Sequence, residues 1–135
     1  MNDKVIAKQR PVRLIGVVSG LGVPPRTCAG SMRAAAALEL ADAGGGMRRN
    51  GIDCAWDGLI APTTERDLPR DVALRRLCGQ VAERVAACVD SGALPVVVSG
   101  DHALAVGTWQ GVARALGRSP GMLWIHAHHD APTET

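Results

Sequence analysis

The sequence predicts an α/β fold, a parallel β-sheet with helices on both faces in an α-β-α arrangement. Three observations carry this. Four short apolar runs alternate with three helical patterns, in the order β-α-β-α-β-α-β. That order is the signature of a parallel sheet built with right-handed crossovers. The runs are continuously apolar and do not alternate, as expected of strands covered on both faces. Finally, the third run ends in "SGDH" and the fourth in "HAHHD", which puts two polar tips at the carboxyl ends of strands. Parallel sheets bind their ligands at that edge.

The first strand is "VRLIGVV" (12–18), β-branched and followed by the turn "SGLG". The first helix is read in "SMRAAAALELADAGGG", with Ser31 as its N-cap and Gly44-Gly45-Gly46 as its stop. A weaker strand follows in "GIDCAW" (51–56), then a surface loop over 57–69, "DGLIAPTTERDLP". The second helix, "LPRDVALRRLCGQVAERVAACVDSG", repeats Leu74, Cys78, Val81, Val85 and Cys88 at three- and four-residue steps. Those positions form one apolar stripe, with Pro69 in the first turn and Gly92 at the exit. "ALPVVVSG" (93–100) is the third strand. The third helix, "HALAVGTWQGVARALG", carries Gly107 and Gly111 on one face. Each costs about 1 kcal/mol against Ala, and close packing against the sheet is the expected compensation. "GMLWIHA" (121–127) is the fourth strand.

Composition narrows the function. The 135 residues predict a single domain, and 47% apolar with 21% charged residues excludes disorder. There are three Trp but no Tyr or Phe, so the core is aliphatic and rich in Ala. The net charge of +2, from 15 basic and 13 acidic residues without a basic run, gives no support to a nucleic-acid partner. No stretch approaches the ~18 apolar residues of a membrane span, and "LIGVV" is too short for a signal peptide. Cys28, Cys54, Cys78 and Cys88 form no CxxC pair, as expected of free thiols in a reducing compartment. A cytoplasmic protein that contacts neither membrane nor nucleic acid is expected.

Competing motifs fail on their own chemistry. Gly20-x-Gly22 lacks the third glycine of a dinucleotide turn, and Pro24-Pro25 would block the phosphate-binding helix. Gly44-Gly45-Gly46 leads into no Gly-Lys-Ser/Thr, and there is no Gly-x-Ser-x-Gly elbow. Cys28 has no base nearby in sequence.

The ligand-rich tips remain. Along an extended chain alternate residues share a face. His126, His128 and Asp130 therefore face one way and His129 the other, while His102 comes from the neighbouring tip. Imidazole, imidazole and carboxylate suit Mn²⁺, Zn²⁺ or Fe²⁺.

These same residues carry a family resemblance. "SGDHALAVGTWQGVARAL" followed by "GMLWIHAHHDAPTET" resembles the arginase/agmatinase (ureohydrolase) family, which has a Gly-Gly-Asp-His tip and then a strand ending Asp-Ala-His-x-Asp. "VRLIGVVSGLG" is similar to the family's first strand. "CAGSMRAAA" is similar to its Gly-Pro-x-x-x-Arg turn, with Arg33 at the arginine. The "TET" ending looks closer to arginases than to agmatinases. The resemblance spans 11–135.

It implies a two-manganese hydrolase that cleaves a guanidinium substrate such as arginine to ornithine and urea. His102 matches the histidine ligand of one ion, joined there by Asp130. His128 matches the histidine ligand of the other, and His126 stands where the family has an aspartate bridging both. Imidazole offers one lone pair and no charge, so one ion or none is expected here. Further departures are Ser31, Ser99, Ala103 and Pro132. The family's second Asp-x-Asp pair, catalytic histidine and acidic substrate contact have no counterpart in these 135 residues. An incomplete arginase-like domain over 1–135 is thus expected, with hydrolysis impaired or absent. The alternative is a non-catalytic metal-binding or interaction module derived from the same fold. An unpaired last strand also predicts a homo-oligomer or self-association.

Overall fold

A computed structural model describes residues 9–22, 28–62 and 68–125. Its strands are β1 (Val12–Val17), β2 (Cys54–Ile60) and β3 (Leu94–Ser99). Its helices are α1 (Cys28–Leu40), α2 (Gly45–Arg49), α3 (Arg70–Asp90) and α4 (Ala105–Leu116), with a 3-10 turn at His102–Leu104. The sheet is parallel, in the order β2-β1-β3.

β1 sits in the middle and divides its side chains between two cores. Ile15 and Val17 join Leu77, Cys78, Val81 and Val85 of α3. Val12 and Leu14 join Cys54, with Met47 of α2 packed against them. On that second face a Cβ added to Gly16 would lie 3.2 Å from Ala35 of α1. Helices therefore cover both faces, as the apolar runs predicted.

Several boundaries differ from the sequence reading. β2 begins and ends later than 51–56, and 57–60 belongs to the strand, not to a loop. Asp57-Gly58 reads as a turn signal, but here it forms a bulge. Leu14 pairs with Trp56 and Gly16 with Leu59, so two residues of β2 oppose Ile15 alone. Gly58 takes the bulge's positive φ of 102°. α1 begins at Cys28, which puts Ser31 inside the helix and not at its cap. Gly45 and Gly46 open the short helix α2 instead of only ending α1. Pro69 is the N-cap of α3. The described part of the fourth expected strand, 121–125, is exposed and forms no strand, and 126–127 lie outside the described residues.

Gly107 and Gly111 are close-packed, but against α3 and not against the sheet. A Cβ at Gly107 would lie 2.6 Å from the Cys78 carbonyl oxygen, and one at Gly111 2.5 Å from that of Ala82. The stripe of α3 is thus shared between sheet and α4. Gly111→Ala is expected to lower stability by about 1–3 kcal/mol through overpacking, against the gain of about 1 kcal/mol that helix propensity alone predicts. Chemical denaturation decides between them, and a raised midpoint would show that α4 does not lie this close.

Candidate functional site

The chain leaves β1 toward β2 on one side and later returns to β3 on the other. The carboxyl ends of β1 and β3 therefore flank a topological switch point, where open α/β sheets bind ligands. The tip of β1 is Ser19-Gly20-Leu21-Gly22, and the tip of β3 is Ser99-Gly100-Asp101-His102.

A buried carboxylate ties the two tips together. Asp101 is only 2% exposed. One of its oxygens accepts from Ser19 Oγ at 2.9 Å and from the Gly22 amide at 2.7 Å. The other accepts from the Ala103 amide at 3.1 Å and so caps the 3-10 turn. Ser19 Oγ in turn accepts from the Leu21 amide at 3.1 Å. Ser99, which departs from the family's glycine, is put to use: its hydroxyl accepts from the Asp101 amide at 3.0 Å. Arg70, the first residue of α3, donates to the carbonyl oxygens of Leu21 and Gly20.

Two glycines make this approach sterically feasible. A Cβ at Gly22 would fall 2.3 Å from an Asp101 carboxylate oxygen, and one at Gly100 would fall 2.4 Å from Ser31 Cα. Gly100 thus lets the first turn of α1 rest on the tip of β3. The Gly22 amide is engaged by Asp101.

His102 is exposed. Its ring meets Trp124 edge to face, with centroids 5.0 Å apart and planes at 78°. Beside it lies a cavity of about 530 Å³ lined by Ser99, Asp101, His102, Leu104, Trp109 and Trp124, among others. Of the sequence-predicted ligands, His102 alone is described. His126, His128 and Asp130 lie outside the described residues, as does Pro132. Among the described residues no group of three His, Cys, Asp or Glu side chains could hold a metal. Asp101 is buried and already accepts three hydrogen bonds. Arg33 is exposed on α1. Ser19, Asp101 and Arg70 were not singled out from the sequence; "SGLG" and "SGDH" marked the places but not the partners.

The cysteines stand apart from this chemistry. Cys54, Cys78 and Cys88 are buried free thiols. Burial pushes the Cys78 and Cys88 thiols above the ordinary thiol range, which leaves them protonated and unreactive.

Comparison with known proteins follows the same lines. The family model described as "Arginase family" matches residues 22–135. The arginase of Bacillus caldovelox is 32% identical over 92% of this chain and 43% of its own length. A formimidoylglutamase of Aeromonas hydrophila is 44% identical over 38% of this chain and 17% of its own. The crystal structure of an arginase from Bacillus cereus superposes with a TM-score of 0.67 at 27% identity, covering 78% of this chain and 35% of that one. This chain thus spans less than half the length of these relatives.

The thiols give a pH prediction. The folded state holds the Cys78 and Cys88 protons more tightly than the unfolded chain does, so this contribution to stability declines as pH rises above the unfolded thiol value of about 8.5. Melting temperatures from pH 8 to 10 should fall, and Cys78→Ala/Cys88→Ala should flatten that slope. An unchanged slope in the double variant would remove the thiols as its cause.

Proposed function

The chain belongs to the arginase family, and from this premise we propose that it forms part of a manganese-dependent hydrolytic site for a guanidinium substrate, arginine first. The observation that carries the reading is His102, an exposed imidazole at the switch point, held on a turn that a buried carboxylate caps. Manganese, when bound, lowers the pKa of a coordinated water so that hydroxide forms at neutral pH.

The donors named in this sequence fit one such ion better than two. His102, His128 and Asp130 supply two imidazoles and a carboxylate, a set suited to Mn²⁺. His126 stands where the family has its bridging aspartate. It offers one lone pair where a carboxylate offers two oxygens and a charge, so it binds at most one ion. A donor set for one ion favours a second reading, a metal-binding or interaction module of arginase lineage with little hydrolysis.

We place the protein in the cytoplasm, supported by the three buried free thiols. Among the described residues no helix is long and apolar enough to cross a membrane. We further propose self-association. β3 pairs only with β1 among the described strands. Beyond it runs an exposed apolar stretch, with Leu123 at 86% and Ile125 at 88%. Unpaired edges beside apolar surface recruit further copies.

Two experiments test this. Mn²⁺ titration followed by a urea-release assay on arginine should give about one ion per wild-type chain and little or no urea. His126→Asp should raise the ion count or tighten binding about tenfold, by restoring the bridging carboxylate. A wild-type chain that binds no Mn²⁺ would end the metal reading, and rapid urea release would end the single-ion one. In analytical ultracentrifugation the wild type should populate dimers or larger species, and Leu123→Asp/Ile125→Asp should shift them to monomer. A wild type that stays monomeric at every concentration would contradict self-association.

A further inference from the structure

We propose that Asp101 is the positioning residue for His102, and that with Ser19 it sets how tightly the site takes up a divalent cation. The inference rests on reading His102 as a metal ligand. Asp101 has extended backbone, φ −122° and ψ 108°, and is the cap of the turn that His102 opens. The carboxylate turns inward to less than a tenth exposed, and the imidazole stays outside. Both carboxylate oxygens are already engaged, by Ser19 Oγ, the Gly22 amide and the Ala103 amide. Buried and bonded in this way, Asp101 acts on an ion through the turn it caps.

The arrangement calls for a carboxylate and no near substitute. Three donors converge on two oxygens. An asparagine of the same shape would bring one acceptor oxygen and an NH₂ donor. Whichever way its amide turned, a backbone N–H would face another donor. Ser19 extends the network, because its hydroxyl accepts from Leu21 while it donates to Asp101. Hydrogen bonds thus tie Ser19–Gly22 to the turn after β3 that carries His102. Groups that hold a ligand from behind commonly change metal affinity by 10–100-fold when replaced.

The test is Mn²⁺ titration of the full chain, with free Mn²⁺ read by electron paramagnetic resonance well below each melting temperature. Asp101→Asn should weaken binding at least about tenfold, and Ser19→Ala severalfold. Val85→Ala, a core truncation in α3 away from the site, should lower the melting temperature and leave Mn²⁺ affinity unchanged. That contrast separates positioning from stability. Should Asp101→Asn fail to fold, Ser19→Ala, which removes a single bond to the carboxylate, decides the question. Wild-type affinity in folded Asp101→Asn or in Ser19→Ala, alongside weakened binding in His102→Ala, overturns this inference alone. No Mn²⁺ binding by the wild type, or unchanged binding in His102→Ala, overturns the reading of His102 and this inference with it.

Discussion

The burial of β1 on every side is the constraint from which the rest of the structure follows. It is the only described strand paired along both edges, with β2 and with β3. Val12, Leu14, Ile15 and Val17 are all buried, so each face must be met by something apolar and close. On one face the fit is close: a Cβ at Gly16 would meet Ala35 at 3.2 Å and would displace the end of the Leu59 side chain. On the other, α3 supplies Val81 and Val85, both fully buried. A strand held in this way needs connections on opposite faces, and their reversal creates the switch point at its carboxyl end. The site is thus a by-product of how the core is closed.

This explains which parts of the fold were legible in the sequence. β1 carries a continuous apolar run and α3 a periodic apolar stripe, because their burial is dictated by their own residues. The end of β2 was not legible, because Asp57-Gly58 has the composition of a turn and becomes a bulge only when paired against β1. Gly107 and Gly111 were correctly read as packing glycines, but their partner was not. A small-residue face reports that something approaches closely, and says nothing of whether that is a sheet or the backbone of α3. The apolar run at 121–125 has the composition of a strand but pairs with no described strand, and strand formation depends on a partner.

The site divides in the same manner. His102 could be singled out because ligand-type residues at a strand tip are conspicuous, and the family resemblance gave it a role. Asp101 sits beside it and was passed over. Its partners, Ser19 and Gly22, lie 82 and 79 residues away in the chain, and no local pattern announces a hydrogen bond over that distance. Ser99 is the instructive case. As a departure from the family's glycine it counted against the site, yet its hydroxyl holds the Asp101 amide. A substitution in a motif can be a local solution to the same positioning problem.

The exposure of β3 bears on how the site is completed. β1 is almost wholly buried, while β3 is only partly covered along its length and Leu94 at its start is exposed. β2 and β3 both form edges of the described sheet, and the cavity beside His102 lies at the β3 edge, between β3, α4 and 120–124. A strand that pairs with this edge in parallel must bring its own carboxyl end beside His102, because parallel strands share the edge at which they end. Such a strand would cover the apolar edge and bring its own tip to the cavity in one step. The same step would exclude water from the cavity and strengthen every charge interaction inside it. His102, exposed on the turn that Asp101 caps, is what the β1–β3 pair itself brings to that edge.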